Sequence, residues 1–241
     1  LVLGMGLPVT AAYIVLSILS APALAGMLAD NIIVEQLVAG ISDPGVSATF
    51  SLVASPLTEK IATGMTLAEA RELMSVVPFD LAIVLRPMMV DQEQLTVFLL
   101  AAHLIVFWLS HDSNVTPPVC LAAFTAAGIA KSPPMATGFE AWKIAKGLYI
   151  VPLLFAYTPL IGGDFWQVIQ IGVFSLFGMY GFSAMIQRYA EGPLPGWMYP
   201  VLVGGCIASF IPLNLIVNLA GAVLIIIVVL TTRKIAVRQE V

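Results

Sequence analysis

The chain has 241 residues, of which 60% are apolar and only 10% are charged. Soluble domains carry roughly 25% charged residues, so this composition excludes an ordinary soluble protein and predicts an all-α integral membrane protein in a lipid bilayer. The net charge of −4 and the two cysteines indicate neither a nucleic-acid surface nor a disulfide framework.

Residues 1–29 are apolar, but two glycines and a proline interrupt them in residues 4–8. We expect a helix only from about Thr10 to Ser20, since Pro22 lacks the N–H that would continue it. About eleven residues rise roughly 16 Å, which is too little for a hydrocarbon core of about 30 Å. Residues 1–29 are therefore predicted to form one arm of a re-entrant hairpin.

Residues 30–95 differ from the rest of the chain, because they hold nine of its fourteen acidic residues. Asp43-Pro44-Gly45 has the composition of a turn, and Thr66 followed by Glu69 is typical of a capping box. We predict an acidic insertion of short amphipathic helices outside the membrane.

Apolar spans separated by basic turns follow the insertion. They cover about residues 95–130 (interrupted), 147–162, 165–187, 197–212 and 214–232. The basic residues of the turns and the tail are Lys131, Lys143, Lys146, Arg188, Arg233, Lys234 and Arg238. Five crossings place these residues on one side, so the positive-inside rule predicts a cytoplasmic C-terminus and an external insertion. The predicted parts are a broken transmembrane helix (96–131), a cytoplasmic loop with the next helix (132–163) and C-terminal scaffold helices (164–241).

The interruption of the first of these spans is the strongest functional signal. Ser110–Pro118 places oxygen-bearing side chains and two consecutive prolines inside an apolar segment. The prolines are expected to free the carbonyls of Ser113 and Asn114, which with neighbouring hydroxyls would form a cluster of neutral oxygens suited to Na⁺. The helix that restarts near Val119 directs its positive N-terminus to the same place, which favours an anionic substrate group.

Two questions about this region stay open at this point. The first is whether the segment is only a kinked, packed helix, in which the hydroxyls bond to their own backbone and bind no ion. Asp112 is either a functional carboxylate inside the membrane or a solvated group paired with His111. Farther along, Asn214 and Asn218 share one helix face and are predicted to hydrogen-bond a neighbouring helix.

Several motifs together resemble the large membrane subunit of TRAP transporters, the tripartite ATP-independent periplasmic transporters. They are GMGLPVTAAY (4–13), TPPV (116–119), LAAF (121–124), AAGIA (126–130), TGFEA (137–141) and IVP (150–152). The first resembles the second re-entrant hairpin of that subunit, and the others resemble the broken helix, loop and helix that follow. The resemblance is closest to fused permeases and covers about residues 1–25 and 100–161.

The resemblance implies half of an elevator-type transporter in a bacterial inner membrane, and not an enzyme. Such a permease imports small organic acid anions that an extracytoplasmic solute-binding protein delivers, with Na⁺ as the coupling ion and no other cofactor. Carried over by position, the implied Na⁺ ligands are Gly4, Gly6, Ser113, Thr116 and Val119, the last through its carbonyl. The implied substrate-binding residues are Pro8, Thr10, Asn114 and Pro117.

Two departures from the family pattern and three alternatives accompany this interpretation. Residues 30–95 stand where the family has a short external loop, and we expect the N-terminal half of the permease to precede the chain. The first alternative is a Na⁺/dicarboxylate elevator symporter that needs no binding protein and would bind its ion and its anion at the same kind of interruption. An intramembrane enzyme centred on His111, Asp112 and Ser113 is disfavoured, because consecutive residues face different sides of a helix. The third alternative is a structural membrane subunit.

Overall fold

In the computed structural model, which describes residues 6–211 and 214–239, the chain folds into helices joined by short turns. The α-helices are α1 (Val9–Ala39), α2 (Pro44–Phe50), α3 (Leu67–Val76), α4 (Phe79–Met89), α5 (Gln92–Asp112), α6 (Leu121–Ala130), α7 (Pro134–Ala145), α8 (Ile150–Tyr157), α9 (Phe165–Gln187), α10 (Tyr199–Phe210) and α11 (Leu215–Gln239). Short 3₁₀ helices cover Pro56–Lys60, Lys146–Tyr149 and Gly196–Met198. No β-strand occurs in the described ranges, so the predicted all-α class is confirmed there.

Four of the described helices, α1, α5, α9 and α11, are long and apolar enough to cross a membrane. This supports a helical membrane protein, while α6 and the run Gly196–Phe210 are apolar but shorter. The predicted span at 147–162 is wrong, because α8 there is too short to cross. Pro159 disfavours helical backbone at the preceding residue, and Thr158 is extended (φ −132°, ψ 155°), which ends α8.

The half-helix predicted to end at Pro22 is also wrong, because α1 continues through this proline to Ala39. A proline inside a helix removes one backbone hydrogen bond and costs about 3 kcal/mol. The residues beyond it offset this cost, since Ile33 and Leu37 are completely buried in a hydrophobic core. Tertiary packing therefore decides the length of α1.

The chain forms two compact units. The acidic unit comprises Ser17–His103, and the broken-helix unit comprises the residues up to Leu16 together with those from Leu104 onward. The helices α1 and α5 each contribute residues to both. The acidic unit is larger than the insertion predicted at 30–95, because most of α1 packs in its core.

Short helices build the acidic unit around the second part of α1. The completely or almost completely buried side chains of Phe50, Ile61, Leu73 and Leu85 join those of α1 in one core. Each short helix contributes one or two such residues and leaves its other side to solvent or lipid. This is the amphipathic character that the sequence predicts for the segment.

Side-chain caps begin two of these helices. Asp43 accepts hydrogen bonds from the N–H groups of Gly45 (2.7 Å) and Val46 (3.0 Å), so the predicted turn at this place is the start of α2. The capping box of Thr66 and Glu69 is present as predicted at the start of α3. These caps satisfy N–H groups that have no partner within their own helix.

A two-pronged ion pair joins α4 to α1 inside the acidic unit. Arg86 donates from Nε to Oδ1 of Asp30 and from Nη2 to Oδ2, at 2.9 Å each. The two side chains are only 16% and 28% exposed. The guanidinium group lies directly over Gly26, where an added Cβ would stand 2.6 Å from Cζ. The absent side chain of Gly26 thus leaves room for the pair.

In the broken-helix unit, α9, α10 and α11 pack closely together. A Cβ on Gly221 would stand 2.7 Å from the carbonyl oxygen of Gly205, so the backbones of α10 and α11 touch at these glycines. The amide nitrogen of Asn218 donates to the carbonyls of Ala208 (3.0 Å) and Ile211 (2.8 Å) at the end of α10. Its oxygen accepts from Gln170 of α9 at 2.8 Å. The predicted interhelical role of Asn218 is confirmed.

Removing the charge of Asp30 is expected to destabilise the acidic unit. Asp30→Asn leaves the partly buried guanidinium of Arg86 without its carboxylate, so the free energy of unfolding should fall by roughly 2 kcal/mol. Lys60→Gln, which breaks the more exposed ion pair between Lys60 and Glu69, is the control and should have a much smaller effect. Unfolding in detergent, followed by circular dichroism, compares the two variants. Equal losses would contradict the importance assigned to Asp30.

Acid should weaken the cap of α3. Hydrogen bonds from Lys60 and then from Thr66 lower the pKa of Glu69 from its ordinary 4.5 to about 2. Because the pKa is depressed in the folded state, ionised Glu69 stabilises it above about pH 4.5, and this contribution is lost as the pH falls towards 2. The Tm difference between the wild type and Glu69→Gln should therefore shrink over this range. Glu72→Gln on the same helix is the control, and a pH-independent difference for Glu69→Gln would refute the assignment.

Candidate functional site

The apolar segment that carries α5 is interrupted, as the sequence predicts. α5 ends at Asp112 and α6 begins at Leu121, and the residues between them form turns that include a cis peptide bond between Pro117 and Pro118. Irregular backbone inside a membrane segment needs partners within the protein, because lipid supplies none. The hydrogen bonds of residues 113–120 therefore decide what this site has to offer a ligand.

One carbonyl that the sequence predicts to be free is in fact hydrogen-bonded. The oxygen of Asn114 accepts from the N–H of Ala122 at 3.2 Å, in the first turn of α6. The first N–H groups of a helix have no partner within that helix, so this carbonyl caps α6. The amide nitrogen of the Asn114 side chain lies 3.4 Å from the carbonyl oxygen of Ser110. A substrate-binding role for Asn114 stays a prediction.

The hydroxyl groups of the interruption bond to backbone carbonyls at the end of α5. Ser113 donates to the carbonyl of Ser110, and Thr116 donates to the carbonyl of Asp112, at 2.7 Å each. These are the bonds expected of a kinked helix whose hydroxyls are satisfied locally. A hydroxyl that donates its hydrogen keeps two lone pairs, so both oxygens remain able to contact a cation.

Tyr149 is a neighbour of the interruption that sequence analysis missed. Its hydroxyl lies 3.1 Å from Oγ1 of Thr116, and the two residues are 33 positions apart. The indole of Trp108 donates to the carbonyl of Leu148 at 3.0 Å and so holds the 3₁₀ helix of Tyr149 against α5. No motif or helical spacing links these positions, because packing alone brings them together.

Asp112, the last residue of α5, is the most unusual group in the site. Its side chain is completely buried, and neither carboxylate oxygen has a hydrogen-bond partner among the described residues. His111 does not supply one: its Nδ1 lies 2.9 Å from the carbonyl oxygen of Phe107, and its ring packs on the Phe107 ring. The burial of Asp112 thus favours the functional carboxylate over a solvated one, and no hydrogen bond between Asp112 and His111 is formed.

The energetics of this position are unfavourable for an isolated negative charge. A buried, unpaired carboxylate costs several kcal/mol, and the carbonyls at the C-terminal end of a helix add negative potential. Asp112 therefore requires either a proton or a bound cation. Sequence analysis left Asp112 out of the predicted ligand set, although an acidic residue in a membrane helix was itself the signal.

Gly6, the last glycine of the glycine-rich run, lies beside the interruption. A Cβ on Gly6 would stand 3.5 Å from Cγ1 of Val119, and Gly6 has a φ of +83°, which favours glycine. Pro8 immediately precedes α1, and its carbonyl accepts from Ala12, while Thr10 lies in the first turn. Two predicted ligand segments thus meet in the broken-helix unit. Gly4 lies outside the described residues.

The helix α7 packs directly on the interruption. A Cβ on Gly138 would stand 2.6 Å from the sulfur of Cys120 and 3.7 Å from Cγ of Pro117. Cys120 itself is completely buried. Gly138 thus lets α7 approach closely enough to cover the double proline and the start of α6.

The chemistry of the site is that of oxygen ligands. Among the described residues, no three His, Cys, Asp or Glu side chains come together as a metal-binding group. Residues 112–119 contain one carboxylate, two hydroxyls and the backbone carbonyls at the end of α5. These oxygens suit a hard monovalent cation. Ser113, Thr116 and Val119 remain predicted ligands, and Asp112 joins them as a candidate.

Comparison with known protein families, with curated proteins and with solved structures finds no match to this chain.

Gly138→Ala is expected to disturb the packing of α7 on the interruption. The new methyl group overlaps the sulfur of Cys120, so the protein should lose about 1–3 kcal/mol of stability. Gly128→Ala, where nothing lies within 4 Å of the added Cβ, should be neutral or stabilising by up to about 1 kcal/mol.

Thiol labelling reports on the same change. In a Cys206→Ala background, maleimide should modify the buried Cys120 slowly in the parent and in Gly128→Ala, and clearly faster in Gly138→Ala. Equal stability and equal labelling of both glycine variants would contradict the close packing of α7.

Proposed function

We propose that the chain is the membrane part of a cation-coupled secondary transporter that imports organic acid anions. The single observation that carries this proposal is the buried Asp112 carboxylate, which has no hydrogen-bond partner among the described residues and ends a helix long and apolar enough to span a membrane. Because the burial of an unpaired carboxylate costs free energy, such a residue in a membrane segment supports a functional role.

A cation meets the physical demand of Asp112 directly. Na⁺ next to the carboxylate would neutralise its charge, and oxygens of Ser113, Thr116 and the backbone of the interruption would complete the coordination of the ion. Because the ion is bound only when these groups come together, it stabilises one arrangement of residues 113–120 over others. The ion gradient would then drive the change, without ATP.

The anionic substrate is expected next to the ion. The N-terminus of α6 carries partial positive charge, and a bound cation adds a full one. One N–H of this end, that of Ala122, is already used by Asn114, so the substrate would depend on the neighbouring N–H groups and on the ion. Pro8, Thr10, Asn114 and Pro117 are its proposed contacts.

The resemblance of the motifs to TRAP permeases supports a more specific form of the proposal. In that form an extracytoplasmic solute-binding protein delivers the anion, and the N-terminal half of the permease completes the site. The proposed location is a bacterial inner membrane, with the basic turns and the basic C-terminal tail on the cytoplasmic side.

Replacing Asp112 tests the proposal. The purified protein should be stabilised against heat by NaCl relative to choline chloride, and Asp112→Asn should lower the apparent Na⁺ affinity at least about tenfold, since it removes the anionic ligand. Asp91→Asn, the same chemical change at the other end of α5, should leave the Na⁺ effect unchanged. Binding of ²²Na⁺ to both variants provides the direct measurement.

The outcomes separate the possible roles of Asp112. Stabilisation by Na⁺ that survives in Asp112→Asn refutes the proposed ligand. A wild type that responds to pH but not to Na⁺, with the response lost in Asp112→Asn, replaces Na⁺ by H⁺ as the coupling ion. No response to either ion in the wild type refutes cation coupling.

A further inference from the structure

A groove in the broken-helix unit lies between α8, α9 and α10, away from the interruption. It has a volume of about 450 Å³, and its described lining includes Leu153, Leu154, Phe182, Val203 and Ile207. Among the lining residues, only Tyr157 and Thr158 carry hydroxyl groups. Leu153 and Ile207 are 56% and 60% exposed, so the groove opens to the surroundings of the protein.

Two basic residues lie about one helical turn beyond the lining residues Ile150 and Met185, Lys146 before the first and Arg188 after the second. The backbone of Gly147 lies against Ser183, since an added Cβ would stand 3.4 Å from its hydroxyl oxygen. Lys146 immediately precedes Gly147, and Arg188 immediately follows α9. Both residues therefore lie at the end of the helix pair where α8 begins and α9 ends. The ammonium group of Lys146 rests on the ring of Trp142, 4.5 Å from its centroid.

Nothing in the described part of the chain neutralises these two residues. Its ion pairs involve Lys60, Arg86 and Lys143, but neither Lys146 nor Arg188. Glu191, the acidic residue nearest to Arg188 in sequence, instead accepts a hydrogen bond from Tyr180 at 3.5 Å. These unpaired positive charges therefore lie near one end of an apolar groove. One of the helices that line this groove, α9, is a candidate membrane span.

We propose that this groove binds an anionic phospholipid, with an acyl chain between α8, α9 and α10 and the phosphate at Lys146 and Arg188. Lipid is the surrounding medium of such helices, and an acyl chain matches a lining with almost no polar groups. Basic pockets between membrane helices on the cytoplasmic side recognise acidic headgroups, and Trp142 is the kind of residue that lies at headgroup level. The proposal is independent of the transported substrate and of Asp112.

Native mass spectrometry of the purified protein tests the proposal. It is titrated with phosphatidylglycerol and with phosphatidylcholine of the same acyl chains. Each basic residue near an acidic headgroup is expected to strengthen binding about fivefold, so the first phosphatidylglycerol should bind about 25-fold more tightly than phosphatidylcholine. The double variant Lys146→Gln/Arg188→Gln should lose this preference. The double variant Arg71→Gln/Lys131→Gln, with the same change of net charge outside the groove, should keep it.

A second pair of variants tests the groove itself. Ile207→Trp fills it and should abolish tight binding of the first lipid, whereas Ile216→Trp, at an 81% exposed position outside the lining, should not. The proposal is wrong if the wild type does not distinguish the two lipids, or if either groove variant retains the preference. It is also wrong if Ile207→Trp converts a dimer into a monomer in the same spectra, because a second copy of the chain would then be the occupant.

Discussion

The free energy of a buried carboxylate at the end of a membrane helix dominates the structure around the interruption. Asp112 is completely buried, it has no donor among the described residues, and it adjoins the carbonyls that end α5. Water would solvate such a group, but a membrane segment offers none. The hydroxyls of Ser113 and Thr116 and the carbonyl of Asn114 each have a hydrogen-bond partner, whereas neither oxygen of the buried carboxylate has one among the described residues. This contrast is the physical basis of the cation proposed at Asp112.

The rest of the broken-helix unit holds this arrangement in place. Gly138 lets α7 lie on the double proline, and the indole of Trp108 fixes the 3₁₀ helix that brings Tyr149 to Thr116. Farther away, Asn218 ties three helices together where α10 ends, so that the freed carbonyls of that helix are satisfied. Trp108 and Asn218 satisfy backbone carbonyls that lipid would leave unpaired, and Gly138 allows the close approach of α7. Coupling between an ion and a moving segment requires such a fixed frame.

Local signals were predictable from the sequence, whereas effects of packing were not. The capping box at Thr66, the interhelical role of Asn218 and the interruption at Pro117 depend on neighbouring residues or on one helix face, and each is confirmed. The prediction that a helix ends at Pro22 is wrong, because a single proline removes only one hydrogen bond and the core beyond it keeps α1 helical. At Pro117 the second proline and the competing hydroxyls prevent the same outcome. Tyr149 was missed, because only tertiary packing brings it to the site.

Infrared difference spectroscopy tests the role of Asp112 most directly, because it observes the carboxyl group itself. Spectra of the purified protein in NaCl minus those in choline chloride should contain carboxylate bands that vanish in Asp112→Asn and persist in Asp91→Asn. This result would mean that Na⁺ binds next to an ionised Asp112. Difference spectra that are identical in the wild type and in Asp112→Asn would contradict the account, since the buried carboxyl group would then be indifferent to the ion.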